Sequence, residues 1–451
     1  MSTVVGAAFA LWGLTVGLQP LDDNSFLTHL ATGRLIWDTG GVPRRDPYSF
    51  SAPGVRWVVQ SWLASWLYGG IERVAGLGGI RLLHGALVAT LAALVWRLSR
   101  PARGLAARAA VCAVAVAVGT GLWVERPLLF GLVGLALVLV AAGGGLHPGW
   151  LVPVMWVWVS SHGSFPLAVV ALLSVAAGRR LDGEDPGREL RALRWTLAGT
   201  LLAAVNPLGP RLLAFPVEVL RRTEAFRSLV EWRPPTFEDP WQLLFLAQLL
   251  IALALLVRRP RWRAAVPLLV FAPLALLSAR NVVVASLVLV PGMAAGAADL
   301  GSPTGDRRSP ATLAATATAA LVAVGLLVAS LGQAHTRFED YPEDAVAWLD
   351  RRGLLDENVI APDLVGNYLE ARDGVEARVF VDDRVDMFPG QVVRDEAALL
   401  EGRPGWRARL DRYDAGVVLW PRDQPLTAIL SASGEWRRAW SDDRWVVFLP
   451  A

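Results

Sequence analysis

Two adjacent carboxylates, Asp22 and Asp23, close the first apolar run of the chain, where charge beside a lipid core is costly. Such a pair can take a proton from an acceptor hydroxyl as general base, or help hold a divalent cation. The plainer reading is a solvated helix end at a membrane surface. Arg280, with Asn281 beside it, interrupts an apolar stretch between two runs, so its guanidinium is the first candidate for a phosphate. Arg126, in Glu125-Arg126-Pro127, is the second. Arg81 sits just inside the second long run, where an arginine that snorkels to headgroups is the simpler account. His29 and His162 could bind phosphate or carry a proton, or be merely hydrogen-bonded. Glu231-Trp232-Arg233 sets an acid, an indole and a guanidinium together, a combination suited to sugar hydroxyls and C–H faces; an interfacial aromatic belt is the alternative. Asp22, Asp23, His29 and His162 offer oxygen and nitrogen ligands, but no tight ligand spacing joins them.

These residues must be positioned by membrane helices. Of 451 residues, 54% are hydrophobic and 18% charged, too little charge for a water-solvated surface. Disorder, a coiled coil and a disulfide-stapled secreted domain are excluded together. The one cysteine, Cys112, forms no internal disulfide. No lysine occurs, so all 43 basic residues are arginine, which with the abundant alanine suits a GC-rich bacterial genome. The arginines sit mostly in short loops between apolar runs, and no nucleic-acid signature accompanies them.

Apolar runs mark about eleven spans, centred near residues 3–19, 76–96, 106–123, 127–145, 149–160, 164–178, 192–206, 241–257, 264–279, 281–298 and 310–332. Alternate loops carry Arg97, Arg100, Arg103 and Arg108; Arg179, Arg180, Arg188, Arg191 and Arg194; Arg258, Arg259, Arg261 and Arg263; and Arg307 and Arg308. The positive-inside rule places those loops in the cytoplasm. The N-terminus is then inside and the C-terminal domain outside the cytoplasmic membrane. The first run has no cationic leader and reads as a retained anchor.

The opposite loops include a long first segment, residues 20–75, whose second half reads as interfacial helix anchored by Trp57, Trp62, Trp66 and Tyr68. A second long loop covers 207–240. The expected domains are therefore a polytopic membrane domain, 1–335, and an extracytoplasmic soluble α/β domain, 336–451. In the latter a helix starts at Pro342-Glu343-Asp344-Ala345 with Val346 and Leu349 inward, and short strands are expected at 359–361, 377–381, 416–420 and 445–449. The fold class is mainly α: a polytopic helical bundle with a small α/β domain. Asp382-Asp383-Arg384 with Asp386 could bind sugar or a cation, though ion pairing within the domain is the better reading.

Asp22-Asp23, Gly33, Gly40-Gly41-Val42-Pro43, Gln60-Ser61-Trp62-Leu63 and Gly79-Ile80-Arg81-Leu82 follow one another in an order that resembles the start of GT-C membrane glycosyltransferases of the protein O-mannosyltransferase and aminoarabinose-transferase type. The segment from Asp23 to Leu63, with His29, Asp46-Pro47-Tyr48-Ser49-Phe50 and Trp57, also resembles a broad group of bacterial membrane proteins. Those share the outer domain, matched here by Phe380-Val381-Asp382-Asp383-Arg384. The resemblance implies a lipid-linked sugar donor, transfer on the outer face, and a catalytic base at Asp22 or Asp23. Two departures stand out: Gln60-Ser61-Trp62 replaces a lysine-rich loop of the aminoarabinose branch, and Asp replaces the usual Glu of the acidic pair.

The expected activity is therefore transfer of a sugar from a polyprenyl-phosphate-linked donor to an acceptor hydroxyl on a cell-envelope glycan, lipid or protein. Membrane lipids are the other partner, and no cofactor beyond a divalent cation is called for. The alternative is a non-catalytic relative that binds lipid or a partner through its outer domain. Transport is disfavoured, because His84 is the main ionisable residue near mid-membrane.

Overall fold

The computed structural model describes residues 2–222, 230–300 and 310–451. Arg307 and Arg308, and the 223–229 part of the expected second long loop, lie outside the described residues. The chain is mainly helical with one small sheet near its C-terminus, and it divides into two compact units.

The first unit comprises Met1–Leu21, Ile71–Pro216 and Leu229–Thr336. Among the described residues, three helical stretches are long and apolar enough to cross a membrane: Trp62–Leu98, Pro240–Arg258 and Ala279–Gly296, which marks the chain as a membrane protein. The apolar helices Ser2–Gly17, Leu105–Gly119, Leu128–Ala142 and Trp262–Leu277 have 15 or 16 residues, about 23 Å of rise against a hydrocarbon core of about 30 Å. Helix Pro240–Arg258 exposes Leu243, Leu244, Leu246, Leu250, Leu253 and Val257, a face that water would not tolerate and lipid would. Helix Val282–Gly296 is its opposite: nearly every side chain is buried, and it packs against Leu105–Gly119, Leu128–Ala142, Pro240–Arg258 and Trp262–Leu277.

The expected break between an interfacial helix and the second span falls at Gly76. There Gly76 takes φ 60° and ψ −167°, so the stretch Trp62–Leu98 is two helices that meet at a kink. A left-handed φ of this kind suits glycine alone.

The second unit comprises Asp22–Gly70, Val217–Ser228 and Arg337–Ala451. Its sheet has the order β1-β2-β4-β3, where β1 is Val359–Ile360, β2 Val417–Pro421, β3 Trp436–Ser441 and β4 Trp445–Pro450. Strand β1 pairs parallel to β2; the other pairings are antiparallel. The helix expected after Pro342 spans Glu343–Asp350 and buries Val346 and Leu349. Two strand expectations change. Residues 377–381 form no strand of this sheet; Val379 makes one isolated parallel bridge to Ser49, donating to Tyr48 O at 3.2 Å and accepting from Phe50 N at 3.0 Å. Strand β3 was hidden by Arg437 and Arg438, which stay exposed at the edge of the sheet, and by a register shift between Arg438 and Trp440.

Helix Asn24–Thr39 joins this unit through two contacts that admit no side chain. A Cβ on Gly33 would lie 2.0 Å from Ser65 O, and one on Gly69 would lie 2.4 Å from Gly33 C, so Asn24–Thr39 and the start of Trp62–Leu98 touch backbone to backbone. On its other side Asn24–Thr39 packs on helix Asp363–Asp373, where Thr28 donates to Asn367 Oδ1 at 2.6 Å.

Candidate active site

In the helical unit the turn at Val124–Pro127 precedes helix Leu128–Ala142, and a 3-10 turn, Val230–Trp232, faces a second one, Ala279–Asn281. The two 3-10 turns are clamped: Ser278 Oγ donates to Glu231 O at 3.1 Å, and Ala279 N donates to Arg233 O at 2.9 Å. Within this frame Arg126 forms an ion pair with Glu231. The Arg280 guanidinium lies over the Trp232 ring, 4.7 Å from its centroid. Four of the candidates, Arg126, Glu231, Trp232 and Arg280, are thus brought together, both arginines part-buried and Arg280 on an indole face. Such an arrangement can hold a phosphate by charge and a sugar ring by its apolar face. Glu125, directly before Arg126, is 3% exposed and belongs to the same turn; its only sequence signal was a carboxylate entering an apolar run.

His162 caps the end of helix Leu151–Ser161 and accepts at Nδ1 from Ser164 Oγ, 2.8 Å, and Ser164 N, 3.2 Å. Trp158 Nε1 donates to the same Ser164 Oγ at 3.1 Å, so the imidazole belongs to a turn network that includes Ser164, a residue not singled out by the sequence. Arg81 is 4% exposed and donates to backbone carbonyls of Leu18, Ser330 (2.8 Å) and Gln333 (3.1 Å), and to His335 Nδ1 at 3.2 Å. It ties the ends of helices Ser2–Gly17 and Pro310–Leu331 to Trp62–Leu98, where carbonyl dipoles favour a cation.

In the second unit Asp22 is exposed and Asp23 half-buried. Asp23 occupies the N-cap of helix Asn24–Thr39, with φ −76° and ψ 128°. His29, on the same helix, meets Ser65 Oγ through Nδ1 at 3.2 Å. Among the described residues no group of three or more His, Cys, Asp or Glu side chains is placed to hold a metal ion.

The motif residues that the sequence left scattered in this unit converge on one side chain. Arg384, 5% exposed, pairs with Asp46 at 2.8 Å, with Glu370 at 2.9 Å and with Asp382 at 2.5 Å. Its guanidinium also lies 4.9 Å from the Tyr48 ring centroid and 4.5 Å from that of Trp57. Asp46 in turn closes its own loop, accepting from Ser49 N at 2.9 Å and Tyr48 N at 3.2 Å. Asp382 and Arg384 are therefore an internal ion pair. Burial would lower the Arg384 pKa, but Asp382, Glu370 and Asp46 outweigh it and hold the group well above its ordinary value. Burial also pushes Glu370 above the carboxylate range; Arg384 opposes the shift and Asp382 adds to it. Nearby, burial raises Asp363, helped by Asp383, and Asp386 to about 6 each.

No protein-family model and no curated protein sequence matches the chain. Among solved structures, it is similar to the Archaeoglobus fulgidus oligosaccharyltransferase in its apo form, at a TM-score of 0.58 and 12% identity over 93% of this chain and 69% of that one. At that identity the likeness is one of fold, and it supports a GT-C-like architecture for this membrane protein.

Proposed function

We propose that this protein is a membrane glycosyltransferase that moves a sugar from a polyprenyl-phosphate-linked donor to an acceptor hydroxyl on a cell-envelope glycan, lipid or protein. The observation that carries this reading is the cluster of Arg126, Glu231, Trp232 and Arg280 in a chain whose fold is similar to that of an oligosaccharyltransferase. The reading takes about eleven spans, the arginine-rich loops in the cytoplasm and the domain from residue 336 outside.

The chemistry asks little beyond charge and position. Asp22 or Asp23 takes the proton of the acceptor hydroxyl while its oxygen attacks the anomeric carbon. The bond from that carbon to the phosphate oxygen breaks, and the polyprenyl phosphate leaves carrying the electron pair. Arg280 and Arg126 offset the charge that develops on the phosphate, more strongly in a part-desolvated turn than in water. Trp232 offers an apolar face to the sugar and Glu231 a carboxylate to its hydroxyls. His29 and His162 are further substrate-binding candidates, and Arg81, held by backbone carbonyls, anchors the end of the helix that leads to Asp22.

Native mass spectrometry of the detergent-purified protein tests the donor. A polyprenyl phosphate, free or glycosylated, is expected on the parent protein and lost from Arg280→Ala. Retention of only bulk phospholipid by both, after candidate carriers are added, would sink the reading.

A further inference from the structure

A cavity of about 710 Å³ opens in the helical unit between Pro240–Arg258, Trp262–Leu277 and Val282–Gly296. It lies at the start of Trp262–Leu277, lined there by Arg261, Arg263, Ala264 and Pro267, whereas Arg280 follows the other end of that helix. Its lining reaches Val288 on the following helix, eight residues or about 12 Å of rise from Arg280.

The lining has two chemistries. Leu255, Leu256, Leu268, Val288, Leu289 and Met293 make apolar walls. Arg179, Arg258, Arg259, Arg261 and Arg263 supply guanidinium groups. Carboxylates answer four of these: Asp299 pairs with Arg258 at 2.8 Å and Arg259 at 2.7 Å, Glu184 with Arg179 at 3.3 Å and Arg263 at 3.5 Å, and Glu189 with Arg179 at 2.8 Å. Asp182 is occupied by the backbone N–H groups of Trp262 and Arg263. Arg261 is exposed and has no ion-pair partner among the described residues. Asp299 holds Arg258 through both oxygens, at 2.8 and 3.0 Å, and Arg259 at 2.7 Å, so one carboxylate faces two guanidinium groups and leaves positive charge for an anion.

Apolar walls between membrane helices, crowned by guanidinium groups, fit a ligand with one hydrocarbon part and one anionic part. We propose that this cavity binds an anionic phospholipid, its phosphate on Arg261 and Arg259 and an acyl chain along Leu255, Val288 and Met293. Arginine suits the role because its planar donors grip two phosphate oxygens together. A soluble phosphate would leave the apolar walls unused, which commits the site to a lipid. In the orientation proposed above the lipid belongs to the inner leaflet, but its binding does not depend on that orientation or on the transferase reading.

The full-length protein, delipidated in detergent and offered equimolar phosphatidylglycerol and phosphatidylcholine, should retain phosphatidylglycerol with a preference of about tenfold by native mass spectrometry. Arg261→Ala combined with Arg259→Ala should abolish the preference. Leu268→Trp, which narrows the cavity and keeps every charge, should lose the bound lipid while thermal unfolding in lipid-free detergent stays unchanged. Equal retention of both lipids would overturn the proposal. So would a preference that survives both variants, which would mean annular lipid only. Inorganic phosphate should leave the unfolding temperature unmoved; stabilisation equal to that by phosphatidylglycerol would also overturn it, assigning the site to free anions. Arg280→Ala should leave phosphatidylglycerol retention intact.

Discussion

Arg280 lies over the indole of Trp232, 4.7 Å from the ring centroid, and both sit on 3-10 turns that hydrogen bonds hold against each other. A cation on an aromatic face contributes about 0.5–2 kcal/mol, more as water is excluded. It also fixes the direction in which the guanidinium points. Arg280→Ala is expected to lower kcat/KM for the lipid-linked donor by about 100-fold, the usual loss when one electrostatic stabiliser is removed. Trp232→Ala should cost about tenfold, chiefly through loss of that orientation. A transfer assay with purified protein in nanodiscs measures both; an Arg280→Ala enzyme within twofold of the parent would remove Arg280 from the mechanism.

Asp22 and Asp23 differ in exposure, and that difference separates their variants. Replacement of whichever carboxylate serves as base by Asn should reduce transfer by about 10²–10⁴-fold and leave folding intact. The other replacement should be mild, with Asp23→Asn losing only the charge at a helix N-terminus. Full transfer by both single variants would rule out catalysis by this pair.

Arg384 answers Asp46, Glu370 and Asp382 inside the second unit. Arg384→Met strands buried carboxylates and should destabilise that unit by about 3–5 kcal/mol, read as a lower Tm and faster proteolysis of residues 337–451. Adding Asp46→Asn and Asp382→Asn to Arg384→Met should recover part of the loss, because the uncompensated charge is then gone. An Arg384→Met protein as stable as the parent would show that the network contributes nothing.

The same unit should be more stable near pH 5 than near pH 7.5. Asp363 and Asp386 are raised from 3.8 to about 6 in the folded state, so folding favours their protonated forms. The stability that this linkage supplies is fully present below pH 3.8, falls as pH rises, and is gone above about 6. Burial raises Glu370 and Glu396 as well, which works in the same direction. Asp395 works the other way: although burial opposes it, hydrogen bonds from Gln391, Arg412 and Tyr413 hold its pKa down, so its contribution is lost in acid. Thermal unfolding across pH 4.5–8 should fall from about pH 5 upward, and a flat or rising profile would contradict the burial of these acids.

The amino-acid sequence alone determined the membrane character, the mainly helical class and the change of composition near residue 341, because hydropathy and periodicity are local properties of a few turns of chain. It also determined which polar residues interrupt apolar runs, and so nominated Arg126, Glu231, Trp232 and Arg280 one at a time. Only the tertiary structure decided that these four meet, since an ion pair from 126 to 231 depends on helix packing that no local pattern encodes. The same limit applies to Arg384 and Asp46, 338 residues apart in the chain and 2.8 Å apart in space. It applies again to residues 377–381, whose composition suggests a strand but where Val379 bonds to Tyr48 and Phe50 rather than to the sheet. Strand β3 escaped for the converse reason: an edge position leaves arginines in solvent, so burial never imposes the alternation by which a strand is recognised.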